Sequence, residues 1–99
     1  MNYDLKIRQE AAKELSGALS WYEEQQTGLG EIFETAIRRK LNQISRNPYH
    51  YKAEYNQFHQ ALTEKFPFLI VYIVDETVKQ ITVIAIFHTS RNPNKKFQK

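Results

Sequence analysis

The chain has no cysteine. That excludes disulfides and any thiolate zinc site, and it fits a reducing, cytoplasmic setting. No apolar run is long enough to span a bilayer. The longest, Phe68 to Val74, falls far short of the roughly 20 residues a membrane helix needs, so no membrane partner is expected. Met1 to Arg8 holds no apolar core segment and carries Asp4, so it does not read as a signal peptide. His50, His59 and His88 are not accompanied by clustered carboxylates, so neither a metal site nor a cofactor is expected. Gly28 and Gly30 stand where a helix stops, and nothing around them resembles a phosphate-binding loop. There is no repeat, no low-complexity segment and no linker. Acid is missing after Phe87, where Arg91, Lys95, Lys96 and Lys99 follow. Residues 1–50 balance seven basic against seven acidic side chains. Residues 51–99 hold seven against four, which supplies the whole net charge of +3. Such an end reads as a solvated tail or as a basic rim facing nucleic acid or an acidic partner.

What is present describes one folded domain over residues 1–99. Apolar residues make up 41% and aromatics 13%, which argues against disorder. Tyr3, Leu5 and Ile7 alternate with polar neighbours as a short strand does. Ala11, Leu15, Ala18, Leu19 and Tyr22 then follow a helical period up to the Gly28 break. A second helical period runs through Leu29, Ile32, Phe33, Ala36, Ile37, Leu41 and Ile44. Asn47-Pro48 ends it, because a residue before proline avoids the α region. The short connection makes the two helices an antiparallel hairpin. Arg38, Arg39 and Lys40 read as its solvated face, while Trp21 and Tyr22, at helical spacing, read as core. Tyr51–Tyr55 is a weak strand and Gln57–Lys65 an alternating one. Phe66–Asp75 and Ile81–Phe87 are apolar at odd and even positions alike, so both belong in the middle of a sheet. The fold class is α+β: an N-terminal strand, the hairpin, then an antiparallel β meander with helices on one face, in two layers.

Four segments in register carry a resemblance. They are Ser20 to Phe33, Asn47-Pro48, Phe66-Pro67-Phe68 with Tyr72, and His88-Thr-Ser-Arg91-Asn-Pro93. Together they resemble the RelE/ParE toxins of type II toxin–antitoxin modules, also called plasmid stabilisation proteins, over the whole chain. The resemblance implies a growth-inhibiting toxin and a cognate antitoxin protein as partner. It also implies one of two activities. RelE-like members cut mRNA on the ribosome, and ParE-like members poison DNA gyrase without cutting RNA. RNA cleavage needs a group to take the 2′-OH proton, another to protonate the leaving oxygen, and cations to stabilise the phosphorane. RelE-like members use two lysines and an arginine on the middle strands, an arginine after the last strand and a tyrosine beyond it. An ungapped overlay keeps only Arg91 here. The other positions fall at Gln60, Leu62, Leu69 and Phe97, with His59 or Lys65 within a shift of one or two residues. That departure favours a ParE-like protein that binds and inhibits its target.

The target-binding residues expected on this reading are His88, Arg91, Lys95 and Lys96. Leu19, Tyr22 and Phe33 are expected to meet the antitoxin. If the chain were a nuclease instead, His88, Arg91 and Lys65 would carry the chemistry. A third possibility is a non-toxic interaction domain that keeps only the fold. His88 has a dull alternative as a strand-end histidine bonded to a carbonyl, and Arg91 one as a loop arginine capping carbonyls.

Overall fold

The computed structural model describes residues 3–55 and 57–90, with side chains described throughout except at 54 and 55. Strand β1 (Asp4–Ile7) leads into helices α1 (Gln9–Gln25) and α2 (Leu29–Arg46). A single 3-10 turn at Pro48–His50 follows. Strands β2 (Ala53–Tyr55), β3 (Phe58–Leu62), β4 (Phe68–Asp75) and β5 (Gln80–His88) complete one five-stranded sheet in the order β1-β5-β4-β3-β2. The meander β2 to β5 is antiparallel, and β1 pairs with β5 in parallel. The doubly apolar strands β4 and β5 are interior to the sheet, as their sequences require. β3 is shorter than its alternation predicts. Lys65 adopts a left-handed φ of 73° and Thr63 N–H closes the hairpin on the Phe68 carbonyl at 2.9 Å, so pairing stops at Leu62.

Both helices pack on one face of the sheet. Phe33, Ile37 and Ile44 of α2 are buried with Ala11 of α1 against Ile70, Tyr72, Ile81, Val83 and Ile86. The 4-3-4 spacing from Phe33 through Ile37 to Ile44 also includes position 40. Lys40 therefore falls on the core side and is only 6% exposed. The expectation of a solvated Arg38, Arg39 and Lys40 face holds for the two arginines, which are exposed, and fails for the lysine. Trp21 departs in the other direction. It sits one position off the inward stripe of α1 and is 55% exposed, edge-on to Tyr22 at 5.1 Å.

The turn between the helices is fastened by one side chain. Glu23 accepts Gly28 N–H through Oε2 and Gly30 N–H through Oε1, both at 3.0 Å, and so caps the start of α2. Gly28 has φ 90°, a conformation other residues adopt only with strain. A Cβ on Gly30 would lie 2.9 Å from Glu23 Oε1 and 3.1 Å from the Leu19 carbonyl, so the close approach of the helices needs glycine there. Glu23→Ala is expected to lower stability by about 1 kcal/mol, the usual worth of a lost cap, as read from the urea midpoint.

β5 carries one residue more than β4 opposes. Val71 pairs with Ala85 and Tyr72 with Val83, which leaves Ile84 as a bulge. Ile81 and Val83 before the bulge, and Ile86 and His88 after it, therefore share the helix side. Ile84, Ala85 and Phe87 join Phe58, Leu69 and Val71 in a second apolar cluster on the outer face.

Glu76, in the β4–β5 turn, ties three segments together. It accepts Tyr49 OH at 2.6 Å and Tyr3 OH at 3.0 Å, and it pairs with Lys79. The hydrogen bonds from Lys79, Tyr49 and Tyr3 hold its carboxyl down to about 2, against an ordinary 4.5. The hydrogen bond to Glu76 pushes the Tyr49 hydroxyl up to about 12. A depressed carboxylate contributes stability that is complete above its unfolded pKa and is lost as pH falls through its folded one. Melting temperature is therefore expected to decline between pH 4.5 and about 2. Glu76→Gln should flatten that part of the profile. An unchanged acid limb in the variant would show that the turn cluster does not couple to folding.

Candidate functional site

His88 ends β5 opposite Phe68, and the two rings meet edge to face at 5.4 Å. They form one wall of a cleft of about 420 Å³ against α1, completed by Ala18, Trp21, Tyr22 and Ser90. Two donors converge on His88 Nδ1: Ser90 N–H at 3.0 Å and Ser90 Oγ–H at 2.8 Å. An accepting Nδ1 assigns the ring proton of the neutral tautomer to Nε2. His88 thus offers an N–H donor at the rim of an aromatic cleft. The expected carbonyl partner of a strand-end histidine is not what holds it; the partner is the following turn. A donor flanked by Trp21 and Tyr22 suits recognition of a partner's polar group beside an apolar side chain.

Arg91, Lys95 and Lys96 lie outside the described residues. Lys65 is exposed on the β3–β4 turn and belongs to a different cleft, of about 310 Å³, that runs along α2. His88 and Lys65 therefore line separate depressions. Leu19 and Tyr22 are half-buried on α1. Phe33 is 0% exposed and presents no surface to a partner, so it supports Tyr22 from beneath at 4.9 Å. Burial pushes the Tyr22 hydroxyl up.

His59 proves to be a fastener. Its Nδ1–H donates to the Tyr51 carbonyl at 2.6 Å, and its ring stacks on Tyr72 at 5.0 Å. Tyr72 in turn donates to the buried Pro48 carbonyl at 2.6 Å, and burial pushes its hydroxyl up. His50 is exposed, edge-on to Tyr51.

The outer face of the sheet holds Gln60, Leu62 and Leu69. Gln60 pairs with Val71, Leu62 with Leu69, and Leu69 with Phe87. Leu62 is 55% exposed. No Lys, Arg or His of β3, or of the paired stretch of β4 and β5, faces outward with them. Among the described residues no group of His, Asp or Glu side chains is placed to hold a metal ion. No described helix is long and apolar enough to cross a membrane.

Residues 5–93 match the family model of the ParE toxin of type II toxin–antitoxin system, parDE. The fold is similar to a chain of the chromosomal ParDE system from P. aeruginosa, with a TM-score of 0.70 and 18% identity over 87% of this chain and 95% of that one. It is also similar to a chain of the intact E. coli RelBE toxin–antitoxin complex, at 0.67 and 17% over 90% and 99%. The isolated E. coli RelE toxin matches at 0.67 and 17% over 96% and 93%. At such identities the structural likeness speaks for the fold alone. No curated protein gives a match. The family model covers nearly the whole chain, in the order strand, helical hairpin and meander just described, and the protein belongs to the ParE toxins of type II toxin–antitoxin systems, within the RelE/ParE superfamily.

Proposed function

We propose that this toxin acts in the cytoplasm by binding and inhibiting a macromolecular target, without cutting RNA, and that a cognate antitoxin neutralises it. The observation that carries the mechanism is the outer sheet face. Where a RelE-like nuclease needs proton-transfer groups and cations, this face holds Gln60, Leu62 and Leu69. An amide and two leucines neither move a proton nor neutralise a phosphorane. The remaining nuclease candidates support the same reading, because His88 and Lys65 line different clefts. DNA gyrase is the target that the ParE-like resemblance points to. His88 and Trp21, with the basic residues Arg91, Lys95 and Lys96, are the contacts proposed for it.

Antitoxin binding is supported by apolar surface on the helices. Trp21 of α1 is 55% exposed and Ile32 of α2 52% exposed. A disordered tail folding onto Leu19, Tyr22 and Trp21 would cover such side chains.

Induction without the antitoxin separates the two mechanisms. Growth should stop with a DNA-damage response, and mapped mRNA ends should match those of uninduced cells. Codon-specific cuts in ribosome-bound messages would overturn the inhibitor reading. Unimpeded growth would leave a domain that retains only the fold.

A further inference from the structure

Lys40 is a charge placed where charge is costly. It is 6% exposed, on the core-facing stripe of α2. Its ammonium donates to Gln43 Oε1 at 3.1 Å and to Tyr51 OH at 2.9 Å, both neutral acceptors. An ammonium has three N–H donors, so these two bonds leave the third proton with no oxygen acceptor among the described residues; the Tyr51 ring, 5.2 Å from Nζ to its centroid, adds an aromatic neighbour but no counter-charge. Neither ion pair among the described residues involves Lys40, and the same is true of Arg39 and Lys65. A buried cation without a counter-charge is unfavourable unless something supplies one.

Lys40 lies on the wall of the cleft along α2, together with Gln43, Arg39 and Lys65. Ile32 and Ala36 give the same cleft an apolar side, and Ile32 is 52% exposed. Glu31 and Glu64 also line it, so three cations face two acids. A net charge of one matches a single carboxylate. Two acids on the wall would repel a polyphosphate chain. The apolar side asks for an aliphatic neighbour beside that carboxylate.

We propose that this cleft receives one Asp or Glu side chain of the antitoxin, set next to an aliphatic residue that packs on Ile32, with Lys40 as the buried partner of the carboxylate. This rests on the toxin–antitoxin reading and adds to it a specific anchor on the α2 side of the hairpin. The peptide would run along α2 toward the β3–β4 turn, where Lys65 meets its charge from the far wall.

The test uses the toxin and the antitoxin encoded beside it, with the dissociation constant read by calorimetry. Lys40→Met is expected to weaken binding about tenfold to a hundredfold, the range for a hydrogen bond to a charged group. Arg39→Ala and Lys65→Ala, both at exposed positions, should each cost a few-fold and reduce the salt dependence. Changing each antitoxin acid to its amide in turn should identify one whose loss adds nothing in the Lys40→Met background. A folded Lys40→Met toxin that binds within about twofold of wild type overturns the anchor while leaving the toxin–antitoxin reading intact. If Lys40→Met does not fold, unchanged binding by both Arg39→Ala and Lys65→Ala overturns it equally. A single-stranded RNA oligonucleotide that binds the wild type and is lost with Arg39→Ala would reassign the cleft to nucleic acid. An antitoxin that fails to bind the wild-type toxin would end both proposals together.

Discussion

Phe33→Ala is expected to remove most of the stability of the fold. Phe33 is fully buried, and its ring meets Tyr22, Phe66 and Phe68 at 4.9, 5.1 and 5.0 Å. It is the place where α1, α2, the β3–β4 turn and β4 all touch one side chain. Truncating a buried phenylalanine typically costs about 3–5 kcal/mol, because the transfer term and the cavity term add. Net stabilities lie at about 5–15 kcal/mol, and a thin two-layer domain belongs near the lower end. The variant should therefore lose most of its margin, as measured by urea denaturation. Phe33→Leu keeps much of the volume and should cost well under half as much. A loss below about 1 kcal/mol for the alanine variant would mean that the aromatic cluster can collapse onto the gap.

Arg91→Ala is expected to turn growth arrest into normal growth while leaving the fold alone. On the RelE-like resemblance Arg91 is the one position of the pattern that this chain keeps, and it opens a segment of four basic residues with no acid. It lies outside the described residues, three positions after His88 in the sequence. Arginine side chains are seldom fully buried, and replacing an exposed one usually changes stability by no more than about 0.5 kcal/mol. The expected pattern is thus an unchanged melting temperature, retained antitoxin capture and lost toxicity at matched expression. His88→Ala should show the same pattern more weakly, because it removes one donor from a cleft that Trp21 and Tyr22 still shape. Full toxicity of Arg91→Ala would make the arginine a structural residue and move the target-binding surface elsewhere.

Different parts of this architecture were legible in the sequence to different degrees, for physical reasons. The helices follow from the spacing of Ala11, Leu15, Leu19 and Tyr22, and of Phe33, Ile37 and Ile44. The interior strands follow from apolar residues at successive positions. The apolar outer face also follows, since β3 alternates cleanly between His59, Ala61 and Thr63 on one side and Gln60 and Leu62 on the other. For Lys40 the two signals in the sequence oppose each other: its phase completes the Phe33–Ile37–Ile44 period, while its charge points to the solvated face, and phase decides. For Trp21 the same conflict is reversed: hydrophobicity points inward, while position points outward and decides. The parallel pairing of β1 with β5 leaves no local trace, as its partners are some 76 positions apart in register from Asp4 to Gln80. Glu23 capping a helix it does not belong to is invisible for a different reason: Gly28 and Gly30 are only five and seven positions away, but the contact forms only once the turn folds α2 back on α1. The cleft around His88 depends on Phe68 lying opposite it, which only the pairing of two uniformly apolar strands decides.

The extra residue at Ile84 acts on β5 as an inserted letter acts on an alternating code. Side chains before and after it are read in opposite parity, so the even-numbered Ile86 and His88 share a side with the odd-numbered Ile81 and Val83. Straightening the strand at constant length would send His88 to the outer face and bring Phe87 into the cleft. Removing Ile84 would do neither, since both halves would stay in phase across a shorter strand. Position 84 is therefore where β5 can lose one residue and still present the same two surfaces. Equivalent residues near the His88 end should be counted backward from the end of the strand, because an offset counted from Gln80 exchanges the histidine with its buried neighbour.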